Sequence, residues 1–515
     1  MVDGRLLTEK LLEYAKQHLG LSTRDLPFVR NLLLREFNLS SPLKEGVDLS
    51  YVKDLTLPDE LVLEIEEFAV AFNIVEESEK NLFSTYIMGI LTPLPSVVEN
   101  NFYTINERSG TLKACEYFFN LCVKNNYVQT TAIAKNKKWE YFDGDKKLEI
   151  TINLSKPEKD NKQTAKLLTQ KQTDKYPACM ICKENEGFKG ATNLPARQNL
   201  RTICVKLGGE DWFVQYSPYA YFNEHLIAIN SNHTPMKVDG DTITKLLDFV
   251  DYFPNYMIGS NASLPIIGGS ILNHEHFQGG AHKMPMQYSK LAKEFVSVDY
   301  PNVKVGIVDW YSSVIRLESH SRSDVLSLAE KIIYAWQNYT DESLFIYAQT
   351  DNQKHNSVAP IVTKVEDAYV VELILRNNIT STKYPDGVYH AHPEYHNVKK
   401  EAIGLIEAMG LFILPGRLER QLESIAQILS GQTKINLSDL EDDIHDLHAH
   451  RNMILELMQC GKAKDIVSAR QIIKEKINEV CKNILINTAV FKHDDKGQAG
   501  FERFLQTVKI QKIGD

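Results

Sequence analysis

The chain of 515 residues has no run of about 18 consecutive apolar residues, so no membrane-spanning helix is expected. It has no excess of positive charge either. Fifty-eight Lys and Arg against 67 Asp and Glu give a net charge of −9. With no basic, aromatic-rich stripe, this argues against a nucleic-acid-binding protein and requires any phosphate site to gather its cations locally. Cysteine is scarce, and seven is an odd number. That usage excludes a disulfide framework and predicts reduced thiols in a cytoplasmic protein. The opening stretch, MVDGRLLTEKLLEYAKQHLG, mixes charged and apolar residues and lacks the apolar core of a signal peptide. Gly/Ser linkers, low-complexity tracts and repeats with periods of about 20–50 residues are also missing.

What remains is ordinary globular composition, 43% hydrophobic and 24% charged, in a length that suits roughly two to four domains. Residues 1–130 read as a helical extension. Pro58 precedes Asp59 and Glu60, as at a helix start, and Leu61, Ile65, Phe68 and Phe72 recur at helical spacing. The period then changes. Leu148, Ile150, Ile152 and Leu154 alternate with polar residues, as in a strand. Ile203–Lys206 and Phe222–Ile229 read as strands and Thr242–Phe253 as a helix, so 131–300 is expected to be one α+β domain. A second α+β domain is expected over 301–515. It has strands at Leu344–Ala348 and Tyr369–Arg376, an amphipathic helix at Lys399–Met409, and a helical C-terminal segment that includes Ile466–Ile486.

The chemistry concentrates in Gly268-Gly269-Ser270-Ile271-Leu272-Asn273-His274-Glu275-His276-Phe277-Gln278-Gly279-Gly280. His274, His276 and Gln278 would share one face of a strand. The flanking glycine pairs would let backbone N–H groups approach a phosphate. A neutral imidazole is a nucleophile near pH 7 that needs no deprotonation, and its attack on phosphorus gives a phosphoramidate. Gln278 offers an amide N–H to a phosphoryl oxygen but cannot act as a general acid. That combination suits transfer between two phosphates, neither of which needs a proton moved.

HxHxQ resembles the active-site motif of the galactose-1-phosphate uridylyltransferases of the histidine-triad superfamily. GGSILNHEHFQGG, ITINLSKPEKD, GSNASLPI and VKKEAIGLIEAMG together resemble the type 2 class of these enzymes. The resemblance implies two histidine-triad-like halves with antiparallel sheets, added to the helical extension, and a homodimer. It implies that His276 takes the uridylyl group from UDP-glucose and passes it to galactose 1-phosphate, while Gln278 holds the phosphoryl group. Gly268, Gly269 and Ser270 would line the substrate site. Lys156 and Lys159 fall where type 1 relatives place substrate-binding arginines, and Lys400 falls on a lysine that contacts the sugar phosphate. Rival readings are another nucleotidyltransferase or dinucleotide phosphorylase of the superfamily, or a non-catalytic zinc protein that binds nucleotide sugars.

Cys179, Cys182, His233 and His274 supply two thiolates and two imidazoles, a donor set for tetrahedral Zn2+. Some type 1 relatives have such a site. The plainer alternative is two reduced core thiols and two hydrogen-bonded histidines. His355, with His390 and His392 on a strand, resembles a further metal site of the type 1 family that also uses a glutamate, and Glu294 is the residue suggested for that place. His445, His448 and His450 are expected on a solvated helical face. Cys115, Cys122, Cys204, Cys460 and Cys481 are expected to be core thiols.

Overall fold

The alternating stretch Lys146–Asn153 is a strand, with Leu148, Ile150 and Ile152 buried. It pairs antiparallel with Lys137–Asp143 and parallel with Leu411–Pro415, forming a three-stranded sheet. The structure, a computed structural model, describes residues 2–44, 46–155, 176–190, 194–442, 444–461 and 463–513. Two compact units share the chain. The first takes Met1–Ala134, Pro157–Thr234 and His274–Ala281, and the second takes Lys135–Lys156, Pro235–Asn273 and His282–Asp515. The α+β architecture expected from the sequence holds in both. No single helix among the described residues is long and apolar enough to cross a membrane.

In the first unit, four antiparallel strands run in the order Ile203–Leu207, Glu210–Tyr216, Leu226–Asn230, His276–Gly280. The extension contributes helices that include Asp59–Ala71, Lys80–Leu91, Pro95–Ser109 and Thr111–Lys124. The helix after Pro58 buries Leu61, Ile65 and Phe68 as the spacing predicts. Phe72 falls just beyond the last turn and is exposed.

Buried polar contacts join these helices to the sheet. A helix leaves its last carbonyls without intrahelical partners. Here Arg201, itself buried, donates to the carbonyls of Gly89, Thr92 and Pro93 at the end of Lys80–Leu91, and to those of Gln198 and Leu200. The Glu99 carboxylate accepts from the Cys204 N–H at 2.9 Å. Asn125 and Asn199 exchange side-chain to carbonyl bonds at 2.7 and 2.9 Å. The Tyr216 ring packs on Phe118 and Phe119, with centroids 5.2 and 5.0 Å away.

In the second unit, seven antiparallel strands run in the order Ile510–Lys512, Leu291–Ser297, Lys304–Val308, Val314–Ser319, Ala368–Asn377, Asn356–Val365, Met257–Gly259. The helices Gly240–Tyr252 and Arg322–Gln337 pack on this sheet. The first of them opens on a capping box between Asp239 and Thr242. Trp336, wholly buried, donates to the carbonyls of both Ser357 and Arg376. The helices Arg417–Leu429, Arg451–Gln459, Ile466–Thr488 and Asp495–Thr507 complete the helical C-terminal segment.

Several local expectations are corrected. Lys399–Met409 is not a continuous helix: only Leu405–Ala408 is helical, because the Ile403 and Leu405 N–H groups bond to side chains outside the segment. Leu344–Ala348 is not a strand. A 3-10 turn covers Glu342–Leu344, and Phe345 has a left-handed φ of 59°. His390 and His392 lie in a turn region before the 3-10 turn Pro393–Tyr395, not on a strand. His450 is buried between Gln421 and Asn397, not on a solvated helical face. Cys115, Cys122 and Cys481 are buried and Cys204 is half-buried, whereas Cys460 is exposed because it caps a helix end.

Arg201→Met should lower unfolding stability by about 3 kcal/mol, because it leaves several buried carbonyls without donors. Urea unfolding of the two proteins measures the difference, and an unchanged midpoint would contradict this assignment of Arg201.

Candidate active site and metal centre

The His276–Gly280 strand is held at the sheet by its register with Leu226–Asn230: Ile229 faces His276, Ala228 faces Phe277 and Ile227 faces Gln278. Phe277 points into the core and stacks on Trp212, with centroids 4.6 Å apart at 17°. Alternation then carries His276 and Gln278 to the other face. Gly280 closes the strand at φ 154°, where a Cβ would lie 2.6 Å from the Glu224 carbonyl oxygen. A larger residue cannot take that place without displacing backbone.

His276 is 6% exposed. Its Nδ1–H donates to the carbonyl of His274 at 2.8 Å, which fixes the tautomer and puts the ring lone pair on Nε2. Burial lowers the pKa of His276 from its ordinary value, so the ring is neutral at pH 7. A neutral imidazole with a fixed lone pair has the form required of a nucleophile.

Gln278 is half-buried and shares its environment with His225, a residue that the sequence reading missed. Burial pushes His225 down to about 4, so it is neutral. Tyr221 N–H donates to its Nδ1 at 3.4 Å, leaving its proton on Nε2. The Gln278 amide lies near enough to bear on the charge state of His225, whose buried Nε2 has no hydrogen-bond partner of good geometry.

Cys179, Cys182, His233 and His274 converge. Their donor atoms all lie within 4.8 Å of one another, and they are the one such group of Cys, His, Asp or Glu among the described residues. Cys179 Sγ is 3.3 Å from both Cys182 Sγ and His274 Nδ1, and Cys182 Sγ is 3.1 Å from His233 Nδ1. Around a tetrahedral Zn2+ with ordinary bond lengths, neighbouring donors would sit about 3.5–3.8 Å apart. The group is thus near the required size.

The Asn185 amide donates to the carbonyls of Cys179 and Cys182 and shapes the turn that carries them. His274 Nε2–H donates to the Asn230 carbonyl at 2.8 Å, which leaves Nδ1 as the ligating nitrogen. Burial, helped by the neighbouring Cys179 sulfur, pushes the Cys182 thiol up to about 12. Two crowded sulfurs in that environment suit a cation that stabilises both thiolates.

The other site residues predicted from the sequence are distributed as follows. Lys156 and Lys159 lie outside the described residues. Gly268, Gly269 and Ser270 belong to the second unit, where the Gly268 N–H is already bonded to the Leu264 carbonyl at 2.9 Å. A Cβ on Gly269 would lie 2.7 Å from Asn261 Nδ2, so this glycine makes room for a side chain of its own unit. Asn261 Oδ1 also accepts the Leu405 N–H at 2.8 Å and so ties the glycine loop to the segment that bears the exposed Lys400.

His355, His390 and His392 do not form a ligand group. His355 bonds Thr350 Oγ1 at 2.6 Å and Asn378 Oδ1 at 2.8 Å. His390 accepts the Ile403 N–H, and His392 donates to the Val388 carbonyl while stacking on Tyr384. Glu294 pairs with Lys304 on an exposed strand. Besides His225, the sequence reading missed Asn230, Asn261 and Arg376. Asn261 lay within the quoted GSNASLPI motif and could have been found there, whereas the others sit in ordinary strand patterns.

Two family models match the chain: the N-terminal domain of galactose-1-phosphate uridyl transferase over residues 62–235 and its C-terminal domain over residues 249–451. A galactose-1-phosphate uridylyltransferase of Caldanaerobacter subterraneus is 41% identical over 519 aligned positions, covering 99% of each chain. One of Fusobacterium nucleatum is 39% identical and covers 98% of each. A crystal structure of a yeast Ap4A phosphorylase aligns at 10% identity and a TM-score of 0.33, covering 65% of this chain and 89% of that one, a likeness too slight to bear on function.

If the Cys/His group holds zinc, the purified protein should carry about one zinc per chain. Cys182→Ser should lose most of it and melt at a lower temperature. Metal analysis with thermal melting checks this, and a metal-free wild type with the same melting curve would refute the assignment.

Proposed function

The chain belongs to the galactose-1-phosphate uridyl transferase family, and from that premise we propose that it exchanges a uridylyl group between UDP-glucose and galactose 1-phosphate by double displacement on His276. The observation that carries this reading is the buried, neutral His276 with its proton held on Nδ1 by the His274 carbonyl.

In the first half-reaction, His276 Nε2 attacks the α-phosphorus of UDP-glucose. A P–N bond forms, and the P–O bond to glucose 1-phosphate breaks with its electron pair on the departing phosphate oxygen. In the second, a phosphate oxygen of galactose 1-phosphate attacks the same phosphorus, the P–N bond breaks, and the electron pair returns to Nε2. No proton has to move in either step, which agrees with an amide rather than an acid at Gln278. Gln278 steadies a phosphoryl oxygen, and His225 orients Gln278. Lys400, with Lys156 and Lys159, supplies positive charge to the sugar phosphate in a chain of net charge −9.

Cys179, Cys182, His233 and His274 would hold a zinc ion whose contribution is structural, anchoring the start of the nucleophile strand. A homodimer and a cytoplasmic setting complete the reading. The seven free thiols fit a reducing compartment.

His276→Ala should reduce exchange by about a thousandfold or more. Gln278→His should let water capture the uridylyl-enzyme. Enzyme incubated with UDP-glucose labelled in the uridylyl group should carry acid-labile label on His276. A wild type that exchanges hexoses without acquiring that label would rule out the covalent route.

A further inference from the structure

Ile403 is held by both of its peptide groups. Its N–H donates to His390 Nε2 at 3.0 Å, and its carbonyl accepts from Arg376 Nη1 at 3.0 Å. Two residues on, the Leu405 N–H is taken by Asn261. The segment from Lys400 to Gly404 has no helix or strand ladder of its own, yet buried side chains grip it from below.

Arg376 is an expensive group to place there. It is 0% exposed, and its Nε and Nη2 have no hydrogen-bond partner. Its charge faces Glu407, whose carboxylate also bonds Lys399 Nζ at 2.9 Å. His390 Nδ1 is likewise without a partner. A buried cation with two unpartnered nitrogens costs more to desolvate than a neutral donor would, although its loss would strip the Ile403 carbonyl of its donor. Placement accounts for the arginine better, because Arg376 Nη1 and His390 Nε2 fix the two peptide groups that flank Ile403.

We propose that Arg376 and His390 are positioning residues that set the Lys400–Leu405 segment so that Lys400 and the adjoining backbone meet the phosphate of the hexose 1-phosphate. This rests on the reading of Lys400 as a sugar-phosphate contact. His390 thereby acts as a neutral hydrogen-bond acceptor and not as a metal ligand. A displacement of about 1 Å in such a segment is enough to cost one or two orders of magnitude in productive binding.

The test compares Arg376→Leu, His390→Leu, His390→Gln and Lys400→Ala in the full-length enzyme. Both leucine variants should raise KM for galactose 1-phosphate about tenfold while kcat and the affinity for UMP, which has no hexose phosphate, change less than about twofold. His390→Gln keeps an acceptor and should recover most of the lost KM. Combining His390→Leu with Lys400→Ala should raise KM less than the product of the single effects. A purely structural role would lower the melting temperature and weaken UMP and galactose 1-phosphate alike, and that result overturns the proposal. So does an unchanged KM in Arg376→Leu or His390→Leu when Lys400→Ala raises it. If His390→Leu fails to fold, the Arg376→Leu and His390→Gln pair decides between these outcomes. A Lys400→Ala enzyme with unaltered KM overturns the reading of the segment itself, and the proposal with it.

Discussion

His274 is the residue on which the first unit's chemistry depends. Its Nδ1 lies among the cysteine sulfurs, its Nε2–H is anchored on the Asn230 carbonyl, and its own carbonyl receives the Nδ1–H of His276. One residue therefore joins the Cys/His group, a neighbouring strand and His276. The interactions act in series. An ion would fix the ring, the ring and its peptide bond fix the carbonyl, and the carbonyl fixes the imidazole tautomer two residues later. Disturbance anywhere along the series would reach His276 as a tilt of the ring or a change of tautomer.

The second unit orders its own loops by a different means. It has no comparable ligand group among the described residues. Asn261, Arg376 and His390 instead fix peptide groups through buried hydrogen bonds. Such bonds are strong in a low dielectric and costly when incomplete. Arg376 Nε and Nη2 and His390 Nδ1 are left without partners in this arrangement. Both units thus rely on backbone carbonyls and N–H groups held by buried side chains, one of them beside a Cys/His group that could hold a metal ion.

Much of this could be read from the sequence where a local rule decides the outcome. Period two in Lys146–Asn153 and the proline start before Asp59 kept the meaning their spacing implied, whereas of HxHxQ only His276 and Gln278 fall on a strand, His274 lying just before it. The Cys/His group was readable as a donor set, although only the fold could show that residues 179 and 274 meet. The failures share a cause. Lys399–Met409 has a helical pattern, but distant side chains take the N–H groups a helix would need. His450 stands in a polar stretch and is nonetheless buried, because Gln421 and Asn397 satisfy its ring nitrogens. Tertiary hydrogen bonds decide such positions, and no window of sequence contains both partners. Gly268 and Gly269 were read as space for a ligand, yet they make room first for the chain itself.

The way the chain alternates between its units bears on the order of its assembly. Each unit is built from three separate stretches, and the backbone passes from one to the other five times, at residues 134, 156, 234, 273 and 281. The first sheet lacks its last strand until residues 276–280 leave the ribosome. The early pair Lys137–Asp143 and Lys146–Asn153 waits for Leu411–Pro415 before it has its third strand. The first half therefore cannot mature before residue 281 has emerged, nor the three-stranded sheet of the second before Pro415. The strand His276–Gly280 is the last part of its sheet to be added, so a product cut before residue 276 lacks His276 together with the strand that completes the sheet.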